Sequence, residues 1–335
     1  MIRKSTFLLL LSLPFVLSGC ERLFIKDDPA DDPVTNFEVM WSTIDKKYSF
    51  FEYKNIDWDS IYHVYRPMIT PDMPPHRLFN VLAEMLYELE DGHVNLVSFF
   101  DISRNWEWYL NSPENFDYSV LERNYLRDDY EITGPFRNRF FDSVGYIYYG
   151  SFSSGFSSGQ LDYLMDKFKD TKGLIIDIRH NGGGSVLYTD SLANRFAPQE
   201  QVVLYEQYKD GPAHNDFTDL FPIYVMPRET DQYLKPVVVL MNRHSYSAST
   251  FFAGKMAALP NVILMGDTTG GGGGIPIDYE LPNGWRFRFS ASQTFTPDGL
   301  NIEGGVPPDI AVAMTQADIA NGVDPILEAA IDHLK

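Results

Sequence analysis

The sequence predicts an α/β protein, a core of parallel strands alternating with helices, preceded by a small helical domain. Three observations carry this reading. Val237 to Met241 is an unbroken apolar run, the mark of a buried parallel strand, and it gives way abruptly to Asn242-Arg243-His244 and then to a helical stretch from Thr250 to Ala258. Gly173 to Ile178 repeats the arrangement: an apolar strand, the loop Arg179-His180-Asn181-Gly182-Gly183-Gly184, and a helix carrying Leu187, Leu192 and Phe196. Between 35 and 95 the apolar residues recur at helical spacing instead.

That helical domain begins with Phe37, Trp41, Ile44 and Tyr48 on one face. A second segment carries Ile61, Tyr62 and Tyr65, and a proline-rich turn from Pro67 to Pro75 follows it. The clearest helix runs from Arg77 to Leu89, with Leu78, Val81, Leu82, Met85, Leu86 and Leu89 in one stripe, and stops at Asp91-Gly92. His93 comes next, then an alternating run from Val94 to Phe100. Residues 96–140 form a connecting segment of loops and short strands. The core spans 141–335: a strand from Val144 to Tyr149, a Ser/Gly turn from Ser151 to Gly159, a short helix from Leu161 to Phe168, and the two units above. A strand from Val262 to Met265 leads into the glycine run 270–274. A hairpin over 277–295 turns at Pro282-Asn283-Gly284, and one closing helix covers 317–334.

The N-terminus reads as an address. Arg3 and Lys4 precede an apolar segment, Phe7 to Val16, too short to remain as a membrane span. Leu17-Ser18-Gly19-Cys20 resembles a bacterial lipobox, which implies a signal peptide over 1–19, a diacylated Cys20 and a polar tether over 20–34. The chain is then expected on the cell envelope, at the outer membrane, facing the periplasm or the surface. Cys20 is the only cysteine, which excludes an internal disulfide and a multi-cysteine metal site. The net charge of −19 argues against binding nucleic acid through a basic face.

Three features can assemble one site. Ser245, Ser247 and Ser249 alternate where a strand turns into a helix, a geometry that exposes a hydroxyl beside the free N–H groups of the helix start. The glycines after Asn181 let backbone N–H groups approach a ligand, and they lack both the P-loop and the dinucleotide pattern. His93 stands at the end of a helix as a candidate base. His180 and His244 flank the same loops. A competing motif, Gly155-Phe156-Ser157-Ser158-Gly159, fits the nucleophile elbow of α/β-hydrolases. Ser151, Ser153 and Ser154 separate it from its strand, and only His333 lies late enough to serve it.

These residues resemble peptidase family S41, the carboxy-terminal processing and tricorn-type serine peptidases. Leu174 to Gly184 is similar to its Asp-Leu-Arg-x-Asn-Gly-Gly-Gly block, Ser245 to Gly254 to its nucleophile block with Ser247 at the nucleophile position, and Gly305 to Ile310 to its Gly-Val-x-Pro-Asp ending. Glu90-Asp91-Gly92-His93 resembles the Asp-Gly-His of the tricorn-like branch. The resemblance covers nearly all of 35–312. It implies a ClpP/crotonase-like core of stacked β-β-α units, Ser247 as nucleophile, His93 as general base, Glu303 as the group orienting it, and an oxyanion site from the N–H groups of Ala248 and of Gly182 or Gly183. It implies a peptide or unfolded protein as substrate, with no metal or cofactor. Three departures stand out. Gly272 occupies the position of the catalytic lysine of the processing branch, Thr250 replaces a glutamate, and Gly92 replaces the serine before the tricorn histidine. The segment before Val144 is too short for a PDZ domain. Two other readings share the fold: a non-catalytic ligand-binding protein, and a crotonase-type acyl-CoA enzyme, which needs a basic patch that this acidic chain does not offer.

Overall fold

The computed structural model describes residues 29–104, 106, 110–228 and 230–335. Cys20, the expected signal peptide and most of the expected tether lie outside them. In chain order the main elements are α1 (Pro33–Lys47), α2 (Phe51–Lys54), α3 (Trp58–Tyr65), α4 (Pro75–Tyr87), β1 (Asn95–Val97), β2 (Glu131–Thr133), β3 (Phe136–Phe141), β4 (Val144–Tyr149), α5 (Ser158–Phe168), β5 (Gly173–Asp177) and α6 (Val186–Ala193). Then come β6 (Gln201–Tyr208), β7 (Phe221–Val225), β8 (Val237–Met241), α7 (Ala248–Ala257), β9 (Val262–Gly266), β10 (Pro276–Glu280), β11 (Arg286–Ser290), β12 (Ser292–Phe295), β13 (Ile310–Ala311), α8 (Gln316–Asn321) and α9 (Pro325–Leu334).

The core is a seven-stranded sheet in the order β13-β9-β8-β5-β4-β3-β2. Neighbouring strands run parallel from β13 to β4, and β3 and β2 continue antiparallel. The apolar runs are continuous because both faces are covered. Leu174, Ile176, Val237, Val239 and Met241 pack with α5, α6 and α7 on one face, whereas Ile175, Val238 and Leu240 pack with α9 on the other. Burying each such side chain contributes about 1.5–3 kcal/mol. β5 and β8 are adjacent and parallel, so the loops after Asp177 and Met241 leave the same sheet edge side by side.

The helical domain forms as its sequence dictates. Asp32 caps α1 through the Thr35 N–H with Pro33 at the first turn, and Asp57 caps α3 through Ser60 N–H. The α4 stripe is buried among Phe37, Met40, Ile44 and Trp58. Its core is completed from far along the chain, by Leu281, Trp285, Phe287 and Phe289.

Here the expected hairpin over 277–295 divides. β10 and β11 turn at Leu281 to Trp285 as expected, but they join β1 in a three-stranded sheet of the helical domain, while β12 pairs with β6 beside the core. The run from Val94 keeps only three residues of strand, because Ser98 closes a turn with Asp101. The closing helix is two helices, broken where Gly322 adopts a left-handed φ of 70°. The β6–β7 hairpin had no counterpart in the sequence reading.

Candidate active site

The three serines of the β8–α7 turn separate by role. Ser245 Oγ donates to the Ile178 carbonyl (2.8 Å) and accepts from Asn242 N–H (3.1 Å). Ser249 Oγ donates to the Asn181 carbonyl at 2.7 Å. Both are fully buried and tie the turn to the loop after β5. Ser247 between them caps nothing with its side chain and holds φ 56°, ψ −120°. A positive φ on a non-glycine residue costs on the order of 1–3 kcal/mol and persists only where its surroundings enforce it. Those surroundings are the flanking serines and the Ser247 N–H bond to the Gly271 carbonyl (2.9 Å). Thr250, the residue in place of the family glutamate, fixes the same carbonyl at 2.8 Å.

Asn181 organises the glycine loop. Its side chain accepts from Phe152 N–H and Gly183 N–H and donates to the Tyr149 carbonyl, while its own carbonyl accepts from Tyr246 N–H. Beneath it, buried Arg179 bridges Asp177 and Asp324 and lies 4.5 Å over the Phe116 ring. Gly183 packs directly on the Ser247 turn: a Cβ there would stand 2.9 Å from both Ala248 N and Ser247 Cβ. Its absence keeps open the space in front of the first N–H of α7. The Gly183 N–H itself is spent on Asn181 at 3.0 Å, which corrects its expected role as an oxyanion donor. Gly182, exposed on the same loop, and Ala248 are the N–H groups that remain.

His93 reaches this turn from the other domain. Its Nε2 lies 2.9 Å from Ser247 Oγ. Behind the ring, Ser290 Oγ is 3.5 Å from Nδ1 and donates to Asp91 Oδ2 at 2.9 Å, while Asp91 Oδ1 accepts from His93 N–H at 2.8 Å. This network places the ring proton on Nδ1, donating to Ser290, and leaves the Nε2 lone pair facing Ser247. Burial pulls the His93 pKa down to about 4; Arg288 and Lys54 push the same way and Asp91 opposes them. The imidazole is therefore neutral near pH 7. Ser49 anchors the assembly, its hydroxyl bridging the carbonyls of Ser290 and Ser292.

Glu303, expected to orient His93, is engaged elsewhere. Its carboxylate pairs with Lys54 Nζ at 2.8 Å and accepts from Gly273 N–H at 2.9 Å, and among the described residues the partners behind the ring are Ser290 and Asp91. Burial lifts the Glu303 pKa to about 7, with Asp91 adding to the rise and Lys54 opposing it. Lys54 also donates to the carbonyls of Leu89 and Glu90. Glu303 thus reaches the histidine turn through Lys54, as a clamp between the domains. Asp91, Ser290, Ser49 and Lys54 were missed by sequence reasoning; only Asp91, two residues before the histidine, carried a local signal.

The remaining candidates fall away from Ser247. A Cβ on Gly272 would lie 2.5 Å from the Tyr246 ring, so a lysine there would require that ring to move. Lys255 is buried against Thr189 and Asp190. His180 and His244 stack on each other at 4.5 Å. Ser157 is the N-cap of α5, locked in a capping box with Gln160.

Comparison with known proteins places the chain in a family. The model for peptidase family S41 matches residues 143–312, and that for the tricorn protease C1 domain matches 29–87. The chain belongs to peptidase family S41. Among curated S41 relatives, the carboxy-terminal processing proteases CtpA and CtpB of Bacillus subtilis are 28% and 27% identical over 50% and 51% of this chain. It spans about a third of their length, 35% and 34%. A crystal structure of a Parabacteroides merdae protein superposes with a TM-score of 0.87 at 47% identity, covering 91% of this chain and 97% of that one. Mature CPAF shares the S41 fold at a TM-score of 0.67 and 14% identity, over 91% of this chain and 96% of its own.

Proposed function

We propose that this S41 chain is a serine peptidase that hydrolyses peptide bonds in a peptide or unfolded protein substrate through an acyl-enzyme on Ser247. The observation that carries the reading is the 2.9 Å approach of a neutral His93 Nε2 to a hydroxyl on a strained, half-buried turn. Ser247 Oγ attacks the scissile carbonyl and gives its proton to His93 Nε2. The negative charge on the carbonyl oxygen falls between the N–H groups of Ala248 and Gly182, where one donor is typically worth about 3–4 kcal/mol. The imidazolium is stabilised by Asp91, directly and through Ser290. His93 then protonates the leaving amine, and a water, deprotonated by the same histidine, releases the acid product. No step calls for a metal or cofactor.

The competing α/β-hydrolase reading has little support, since the Ser157 hydroxyl is occupied in helix capping. The binding-protein reading is separated by a fluorophosphonate probe: labelling that vanishes in Ser247→Ala marks an activated serine, and no labelling of folded protein favours binding alone. We also propose, from Leu17-Ser18-Gly19-Cys20, that Cys20 is lipidated and anchors the chain to the envelope membrane. Mass spectrometry of the mature N-terminus tests this; a mature chain starting elsewhere without acyl groups overturns it.

A further inference from the structure

A row of paired residues crosses the sheet edge that carries the site. Arg137 on β3 pairs with Tyr148 on β4, Tyr148 with Asp177 on β5, and Asp177 with Leu240 on β8, just ahead of the nucleophile turn. Over Arg137 lies a cleft of about 500 Å3, to which Tyr118, Tyr148, Gly150, Ser151 and Ser154 also contribute. The cleft touches the catalytic loops, because Ser151 Oγ is 3.5 Å from the Gly183 carbonyl and Gly183 packs on Ser247.

Arg137 differs from the other arginines at this end of the sheet. Arg179 is matched by two carboxylates and Arg139 by Asp129. The Arg137 side chain has no ion pair or hydrogen bond among the described residues; it rests 5.6 Å over the Tyr118 ring, and its Nε is buried without a partner. No Asp or Glu lines the cleft, although the chain carries a net charge of −19. A buried donor without an acceptor is costly, and a guanidinium presents a planar fork that matches a carboxylate. The Tyr148 hydroxyl adds a second donor, since burial raises its pKa and keeps it protonated.

We propose that the cleft at Arg137 is a substrate subsite for a carboxylate, either an acidic side chain or the chain-terminal carboxyl of a peptide. The spacing sets its reach. Three strand steps of about 4.8 Å separate β3 from β8, roughly 14 Å, which an extended peptide covers in about four residues. The subsite therefore reads a group about four residues from the bond cut at Ser247. This assignment rests on the peptidase reading.

The test uses fluorescein-labelled Ala/Leu octapeptides and the Ser247→Ala protein, with binding followed by fluorescence anisotropy. One peptide ends in a free carboxylate, a second in a carboxamide, and a third combines the carboxamide with a Glu four residues from the end. The expected result is at least about tenfold tighter binding of one or both carboxylate peptides, which separates the two sources. Arg137→Gln should erase the difference and Arg137→Lys restore part of it, with each variant's fold checked by circular dichroism. Equal binding of all three peptides, no binding of any, or a difference that survives Arg137→Gln overturns the proposal. Fluorophosphonate labelling of Ser247 in the otherwise unaltered chain judges the peptidase reading separately, so the two can fail independently.

Discussion

The two halves of the site are built in opposite ways. The Ser247 half is local: the Ser247 turn, the Asn181 loop and the glycines at 270–274 leave neighbouring strands of one parallel sheet, and the buried side chains of Asn181, Ser245, Ser249 and Thr250 bind backbone groups of the adjoining loops. The base half is assembled at long range. His93 follows a helix of the N-terminal domain, but Ser290 comes from a hairpin 197 residues later, and the Glu303 clamp reaches back to Lys54. Both halves rest on buried polar side chains, and removing one partner in either leaves another unsatisfied. The His93 half depends in addition on how distant parts of the chain dock, because its partners come from far along the sequence.

Four changes break or sharpen that contrast. The largest effect belongs to Ser247→Ala, expected to lower kcat/KM on a cleaved peptide by about 10⁴-fold or more with little change in the thermal melt. Retained turnover, together with loss in Ser157→Ala, would hand the chemistry to the other motif. Next come two carboxylates compared in the same assay. Asp91→Asn keeps an acceptor for His93 N–H but removes the charge that supports the imidazolium, and should cost on the order of 10²-fold or more. Glu303→Gln keeps an acceptor for Gly273 N–H and should cost less in rate, while lowering thermal stability through the loss of Lys54. The reverse order would restore Glu303 as the orienter.

The pH dependence is the third. With the His93 pKa drawn down to about 4, the acidic limb of kcat/KM should fall near pH 4 rather than near the ordinary histidine value of about 6.5. The stability sign follows. The unfolded chain binds a proton that folded His93 refuses, so this contribution is complete above about pH 6.5 and is lost as pH falls through 4. Glu303 acts oppositely: its folded pKa is raised to about 7, so its contribution is fullest below the unfolded carboxylate value and fades as pH rises through 7. Thermal melts of the parent chain and Glu303→Gln from pH 4 to 8 separate the two. Last and smallest, Lys255→Ala should change kcat/KM by no more than a few fold, since Lys255 faces Thr189 and Asp190; a loss as large as that of Asp91→Asn would point to a lysine base.

The contrast also explains what the sequence made legible. Val237 to Met241 and Gly173 to Ile178 read correctly as strands because burial on both faces writes itself as a continuous apolar run. The serine turn and the glycine loop were legible because strand, turn and helix start are contiguous, while the choice of Ser247 among the three serines came from the resemblance to family S41. Ser290 carried no such signal: it ends one strand of an alternating stretch, and nothing in that alternation tells which sheet the strand joins. The same stretch hid the crossing of β10 and β11 into the helical domain, where Phe287 and Phe289 complete a core begun by Phe37. Glu303 was placed near the site but given the wrong partner, because the Lys54 that claims it lies in a short helix of the other domain. The Gly183 assignment failed more locally: a glycine loop announces free N–H groups, and only the folded loop shows that Asn181 consumes one.

His93→Ala gives the most direct test of the central claim, that a neutral histidine from the helical domain activates Ser247 across the boundary. The measurement is kcat/KM on one cleaved peptide, beside the parent chain, with the fold checked by circular dichroism. The account predicts a loss of about 10²–10⁴-fold in a folded protein. A folded His93→Ala enzyme with near-normal turnover contradicts it and sends the search for a base to His180 and His244.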